Sequence, residues 1–297
     1  MLELTERINS VFLAAQIEFE IIFVEDCGGD DSWAVICELA SLHPNIIGIK
    51  LSRNYGQHNA LLCGIRAANG NVIITMDDDL QHPPEELPKL LEKFFEGFDV
   101  VYGAPEREPH GFLRGLASQI TKIVLQKSMG AETARQISAL RLFKASLSDA
   151  FDDYRSPSVN IDVMLTWAST NFTVVKVRHE ARKSGVSGYT VGMLIRHAFN
   201  MMTGFSALPL QMASVTGFVF ALFGILVLAY VLIRYFVIGA VVPGFAFLAS
   251  IIAVFSGAQL LAIGVIGEYL ARIHFRTMER PPYIVRERTS GKKISGS

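Results

Sequence analysis

Charge is absent from two stretches near the C-terminal end of this 297-residue chain, residues 212–233 and 245–267. Each is long enough to cross a bilayer, which takes about 20 residues. A buried core helix or a re-entrant segment is a poor alternative at that length. Cysteine is scarce: the chain holds only Cys27, Cys37 and Cys63. Three thiols cannot all pair, and none stands at metal-ligand spacing. That excludes a disulfide framework and a structural zinc site, and predicts reduced thiols in a cytosolic setting. Neither sign of charge is in surplus, with 27 Lys and Arg against 28 Asp and Glu for a net charge of −1. No global basic field exists to hold a nucleic acid. No secretory signal is visible from Met1 onward either, where Glu3, Glu6 and Arg7 fall inside a helical pattern and such a signal would show an apolar run.

What is present centres on residues 72–86. Val72 to Met76 is an apolar run that predicts a buried strand. It ends in Asp77, Asp78 and Asp79, after which Pro83 and Pro84 stop any regular continuation and Glu85 and Glu86 open a helix. Alternation along an extended segment aims Asp77 and Asp79 one way and Asp78 the other. Two like charges at a strand end repel unless a cation lies between them. Oxygen ligands with open positions suit Mg²⁺ or Mn²⁺ carrying a phosphate. A solvated acidic strand end is the alternative reading.

Upstream, the spacing of Leu4, Ile8, Val11 and Phe12 predicts an amphipathic helix, and residues 19–24 predict a strand. That strand runs into Glu25-Asp26-Cys27-Gly28-Gly29-Asp30-Asp31-Ser32, a turn with a helix N-cap at Asp31 or Ser32. Residues 46–51 form another short strand, followed by Ser52-Arg53-Asn54-Tyr55-Gly56-Gln57 and a helix. Strand and helix alternate in a rhythm that argues a doubly wound α/β sheet, largely parallel. Two acid-bearing strand ends in such a sheet sit where ligands bind. Residues 190–205 read as an amphipathic helix suited to a membrane interface, with a core helix as the alternative.

Several of these stretches together resemble glycosyltransferase family 2, of the GT-A fold, and within it the enzymes that load a sugar onto a polyprenyl phosphate. Asp77-x-Asp79-Leu80-Gln81-x-Pro83-Pro84-Glu85 resembles that subgroup's Asp-x-Asp motif. Glu25-Asp26 resembles its Asp-Asp-Gly-Ser turn, and residues 52–56 its Ser-Arg-Asn-Phe-Gly stretch. Residues 136–143 resemble its Asp-x-Gly/Ser-x-Phe-Arg-Leu segment, with Gln136 in place of the usual aspartate. Arg182-x-x-Gly185-x-Ser187-x-Tyr189 matches a further motif, and residues 267–285 resemble the ending of the two-helix members. The resemblance implies that Asp77, Asp79 and Gln81 hold the metal. It implies a nucleotide site at Glu25, Asp26, Asp78 and Asp79, and a catalytic set of Asp77, Asp79, Arg141 and Asp162. A helix-start carboxylate is the competing reading of Asp162. Arg107, Arg114, Arg182 and Ser187 are the expected contacts of the acceptor phosphate.

The expected organisation is a GT-A domain over residues 1–189 and an interfacial helix over 190–207. Two transmembrane helices follow at about 212–234 and 245–267, within 208–270, and then a tail over 271–297 whose last residues look disordered. Family members begin with a further strand at the sheet centre, which this sequence lacks. A start upstream of Met1 is the expectation. Arg196 and His197 precede the first span, Arg272, His274, Arg276 and Arg280 follow the second, and only Arg234 lies between. By the positive-inside rule the catalytic domain is cytoplasmic, on the cell membrane. The expected reaction is inverting transfer of one sugar from a UDP- or GDP-linked donor to a polyprenyl phosphate, in contact with the lipid bilayer. Self-association into a homo-oligomer is left open. The alternatives are a catalytically impaired nucleotide-sugar-binding protein and a component of a polysaccharide synthase. Against the latter, no Gln-x-x-Arg-Trp motif is present.

Overall fold

The computed structural model describes residues 1–105, 136–156, 159–180, 208–238 and 244–289. The chain divides into two compact units, Met1–Ile195 with Glu279–Ser297, and Arg196–Met278.

The first unit opens on α1 (Leu2–Ala14), whose Leu4, Ile8 and Phe12 recur every four residues and are buried. The sequence then alternates β1 (Ile21–Glu25), α2 (Ser32–Leu42), β2 (Ile46–Leu51), α3 (Gln57–Ala67) and β3 (Val72–Thr75). After a 3-10 turn at Pro84–Glu86 come α4 (Leu87–Phe95), β4 (Val100–Pro105) and β5 (Arg141–Lys144). A second 3-10 segment, α5 (Ile161–Ala168) and β6 (Phe172–Val177) complete this run.

Among the described residues the strands form two sheets, β1-β2-β7 and β3-β5-β4-β6, with β7 spanning Val285–Arg288. Both sheets are mixed. β1 and β2 pair in parallel through the α2 crossover, and β4 pairs in parallel with β6. β5 lies between β3 and β4 and runs antiparallel to both. β1 and β3 each carry a strand partner on one side only among the described residues. One apolar cluster nevertheless serves both sheets. It joins Leu4, Ile8 and Phe12 of α1 to Ile21 and Ile46 of one sheet and Val101, Leu142 and Val177 of the other. Each such side chain contributes about 1.5–3 kcal/mol on burial, so α1 and α4 hold the two sheets as one body.

β7 reaches this unit after the chain has passed through the second. It pairs antiparallel with β2, from Ile49 opposite Arg288 to Leu51 opposite Val285. All four of its residues are exposed, so backbone pairing rather than apolar burial holds it. The Thr289 N–H donates to the Gly48 carbonyl at 2.9 Å, and the Gly48 N–H donates to Thr289 Oγ1 at 2.8 Å. Gly48 cannot carry a side chain, because a Cβ there would lie 2.4 Å from Ile36 Cγ2. Thr289, expected with the tail beyond it to be disordered, is thus fastened to β2. Residues 290–297 lie outside the described residues.

The second unit holds α6 (Leu208–Ile238) and α7 (Phe245–Thr277), which run past the spans read from composition. Both are long and apolar enough to cross a membrane, over Pro209–Arg234 and Val254–Thr277, and neither span is buried. The helices pack through Phe255 against Phe220 and Phe223, with ring centroids 5.6 and 6.5 Å apart. Gly224 leaves room for the Phe255 ring, which would stand 3.3 Å from a Cβ at that position. The helix expected over 190–207 lies outside the described residues.

Candidate active site

Both acid-bearing turns sit at the ends of strands, and each contains a residue in left-handed backbone. Cys27, directly after Asp26, has φ 55°, and Leu80, directly after Asp79, has φ 59°. Neither is glycine, so each stores strain on the order of 1–3 kcal/mol that its surroundings must offset. Leu80 is buried at 8% exposure in the main apolar cluster, which pins the turn that carries the aspartates.

The Asp26 carboxylate caps the entry to α3. Its Oδ1 accepts from the Tyr55 N–H and its Oδ2 from the Gly56 N–H, both at 2.7 Å. Gly56 takes φ 91°, a conformation that its lack of a Cβ permits. Beside it Glu25 is buried, with Oε1 accepting from the Gly28 N–H at 2.8 Å. Glu25 Oε2 is buried with no hydrogen-bond partner.

Residue 57 links this turn to the second one. Gln57, the first residue of α3, donates from Nε2 to Asp77 Oδ1 at 2.7 Å. Asp77 and Asp79 are half-buried while Asp78 is exposed, the division that alternation predicts. Burial pushes the Asp77 carboxyl above the ordinary carboxylate range, and the charges of Asp79 and Asp78 push it further. Arg141 and the Gln57 hydrogen bond oppose that shift. Asp79 Oδ1 accepts from the Gln81 N–H at 3.0 Å, closing the turn on itself.

Arg141 reaches this place through strand register. It starts β5 opposite Thr75 of β3 and Tyr102 of β4, two residues before Asp77 in the first case. Its Nη1 donates to Asp162 Oδ1 at 2.8 Å, and the Tyr102 hydroxyl donates to the same oxygen at 3.0 Å. Asp162 sits in the first turn of α5, whose N-cap Asn160 accepts from the Val163 N–H through its side chain. Burial and the Asp162 charge push the Tyr102 hydroxyl well above its ordinary value, so it stays a donor. Arg141 Nε is buried without a partner.

The residues expected from sequence thus fall into two groups. Glu25, Asp26, Asp77, Asp79, Arg141 and Asp162 lie at the strand ends and helix starts that make up this region, with Asp78 exposed at its edge. Arg107, Arg114, Arg182 and Ser187 lie outside the described residues. Gln136 is half-buried ahead of β5. Sequence reasoning missed Gln57 and Tyr102. Gln57 had a signal, since it follows Tyr55-Gly56 directly, whereas Tyr102 reads only as one more residue of a buried strand.

No group of three or more His, Cys, Asp or Glu forms a closed metal site among the described residues. Asp77 and Asp79 are instead two half-buried carboxylates just past the end of β3, with Asp79 acting electrostatically on Asp77. A divalent cation would fit this pair, because burial first and then the charges of Asp79 and Asp78 disfavour the charged form of Asp77.

Comparison with known proteins gives this arrangement a lineage. The family model described as Glycosyl transferase family 2 matches residues 2–148. The undecaprenyl-phosphate 4-deoxy-4-formamido-L-arabinose transferase of Proteus mirabilis (strain HI4320) is 32% identical over 294 residues, covering 98% of this chain and 90% of that protein. The enzyme of the same name from Shewanella sediminis (strain HAW-EB3) is 33% identical over 283 residues, covering 94% and 85%. The chain belongs to glycosyl transferase family 2. It is a glycosyltransferase with a GT-A fold followed by two candidate transmembrane helices. The family match contains the turns at Asp26 and Asp77–Asp79 together with Arg141, while Asp162 and β6 lie beyond it. Among solved structures, glucosyl-3-phosphoglycerate synthase from Mycobacterium tuberculosis, in complex with Mn²⁺, UDP-glucose and phosphoglyceric acid, is similar at TM-score 0.44. It is 12% identical, covering 66% of this chain and 80% of that one.

Proposed function

We propose that this glycosyltransferase moves one sugar from a nucleotide-sugar to a polyprenyl phosphate of the undecaprenyl class, at the cytoplasmic face of a cell membrane. The observation that carries the reading is the pair of Asp77 and Asp79 in a chain that aligns over 98% of its length with a transferase named for undecaprenyl phosphate.

Asp77 and Asp79, with Gln81, would hold Mg²⁺ or Mn²⁺, which when bound neutralises charge on the donor's diphosphate. Glu25 and Asp26 frame the nucleotide end. The acceptor is a phosphate monoester with a second pKa near ~6, and is mostly dianionic at neutral pH. Its oxygen attacks the anomeric carbon as the bond from that carbon to the diphosphate breaks, with inversion. Nucleoside diphosphate leaves, and no proton has to be removed from the nucleophile. A glutamine at position 136 is therefore compatible with turnover. The acceptor needs cations to place it, for which Arg107, Arg114 and Arg182 with Ser187 are the candidates.

Membrane anchoring follows the same logic, because the acceptor's tail lies in lipid. Two spans, an even number, would leave both flanking segments on one side of the membrane. The flanking Arg196, Arg272, Arg276 and Arg280 support the cytoplasmic side.

The test is a donor screen with the purified full-length protein, undecaprenyl phosphate and a panel of UDP- and GDP-sugars, including a UDP-linked formamido-arabinose. Formation of a lipid-linked monosaccharide phosphate is the expected result. Transfer to a sugar hydroxyl but never to the lipid phosphate would overturn it.

A further inference from the structure

The two acids of the turn after β3 are held in different ways. Asp79 is fixed from within the turn, by the Gln81 N–H at 3.0 Å and by the burial of its neighbour Leu80. Asp77 stands two residues beyond Thr75, where the pairing of β3 with β5 ends. Its carboxylate is held from another element. Gln57, the first residue of α3, donates from Nε2 to Asp77 Oδ1 at 2.7 Å.

The backbone around Gln57 is pinned on both sides. Ahead of it, the Tyr55 and Gly56 N–H groups both donate to Asp26 at 2.7 Å. Asn59 Nδ2 donates back to the Tyr55 carbonyl at 2.6 Å, which closes the first turn of α3. Behind it, His58 Nδ1 accepts at 3.3 Å from the N–H of Ile161, the residue before Asp162. Tyr55, Gly56, Gln57 and His58 thus reach the three separately encoded places that carry Asp26, Asp77 and Asp162. The Gln57 side chain is itself exposed. Holding an exposed glutamine in one rotamer costs side-chain entropy. A charge-assisted bond to a half-buried carboxylate, stronger than a neutral one, offsets that cost.

We propose that Gln57 is a positioning residue for the divalent cation: it occupies Asp77 Oδ1 and leaves Oδ2 to the cation shared with Asp79, while Asp26 places Gln57 through the backbone of Tyr55 and Gly56. This rests on the reading above, in which Asp77 and Asp79 hold Mg²⁺ or Mn²⁺. Gln57 donates and Asp77 ligates, so Gln57 acts on the metal only through Asp77. Hydrogen-bond partners of this kind orient a ligating group, and losing one typically costs about 10–100-fold in metal affinity. The same contacts join the two ends of the donor site. The acid at the nucleotide end and the acid at the metal end are both held by the start of one helix.

The test uses the full-length protein in detergent. Mn²⁺ is titrated alone, and in separate series with UDP and with GDP, by the electron paramagnetic resonance signal of the free ion. Gln57→Leu and Gln57→Met keep the bulk and helix propensity of the residue but remove the donor. Each should weaken Mn²⁺ binding ~10-fold or more. Tm should stay unchanged, because the side chain is exposed. In turnover assays both variants should raise the KM for Mn²⁺, and excess Mn²⁺ should restore most of kcat. The double variant Asp77→Asn with Gln57→Leu should bind Mn²⁺ no worse than Asp77→Asn alone. A further loss there would make residue 57 a ligand in its own right and overturn the positioning role. Unchanged Mn²⁺ affinity in Gln57→Leu and Gln57→Met, or a loss matched by a clear fall in Tm, would overturn it too. Asp77→Asn separates the two layers. If it weakens Mn²⁺ binding while both Gln57 variants are silent, the role of Gln57 alone falls. If the parent binds no Mn²⁺ in any series, or Asp77→Asn binds it as the parent does, the metal reading falls and the role of Gln57 with it.

Discussion

Arg141 and Asp162 meet at 2.8 Å, with side chains only 4% and 9% exposed, and Tyr102 shares the same carboxylate oxygen. The pair ties the first residue of β5 to the first turn of α5 while Arg141 faces the field of Asp77.

That relationship predicts a stability phenotype. Removing one partner leaves the other charge buried and uncompensated, at a cost of about 3–5 kcal/mol. Asp162→Ala should show this as a clear fall in Tm, and Asp162→Asn should lose less because the amide oxygen can still accept from Tyr102. Calorimetry on the full-length protein checks both. A large loss of activity in Asp162→Ala with no change in Tm would instead make Asp162 a group that acts on substrate.

Metal dependence is a separate question. Asp79→Ala should lower turnover by ~10²-fold or more, the scale of losing one strong electrostatic element of the transition state. Excess EDTA should abolish activity, and Mg²⁺ or Mn²⁺ should restore it. Undiminished turnover in EDTA would end the metal assignment.

Thiol reactivity should separate the three cysteines. Cys63 is 3% exposed, and burial pushes its thiol up to about 11, whereas Cys27 and Cys37 are half-buried. Because the thiolate is the reactive form, Ellman's reagent at pH 8 should titrate two thiols in the native protein and the third only after unfolding. Rapid reaction of all three would contradict the packing of α3.

Acid should weaken one tie in the second sheet. Hydrogen bonds from Lys144 at 2.5 Å and Ser169 at 2.7 Å hold the Asp99 carboxyl below its ordinary value. A depressed folded pKa contributes stability that is present above the unfolded value of ~3.9. That stability is lost as pH falls through the folded value. The lysine is partly exposed, so the contribution is at most ~1 kcal/mol. Asp99→Asn should lower Tm slightly at neutral pH, and the difference from the parent should close as pH falls below the ordinary carboxylate range.

The sequence revealed the parts of this molecule that depend on local pattern. Apolar runs ending in acids mark β1 and β3, and the charge-free stretches mark α6 and α7. Contacts between distant segments left less trace. Nothing in Val285-Arg286-Glu287-Arg288 alternates apolar with polar, so β7 is invisible until β2 offers its edge. The insertion of β5 between β3 and β4 cannot be read from a rhythm of strands and helices, which by itself favours parallel neighbours. Left-handed backbone at Cys27 and Leu80 breaks the preference of those residue types, and so stays hidden in composition. Glu86 reads as an ordinary acid at a helix start, because Arg178, whose Nε donates to it, lies too far along the chain to be paired with it by spacing.

The return of β7 to β2 carries a consequence for how the protein is made. A ribosome releases β1 and β2 early, yet the strand that pairs with β2 is encoded after both apolar helices. The edge of β2 must therefore wait, unpaired, until α6 and α7 have been translated. Completion of that sheet reports that the helix pair has already emerged.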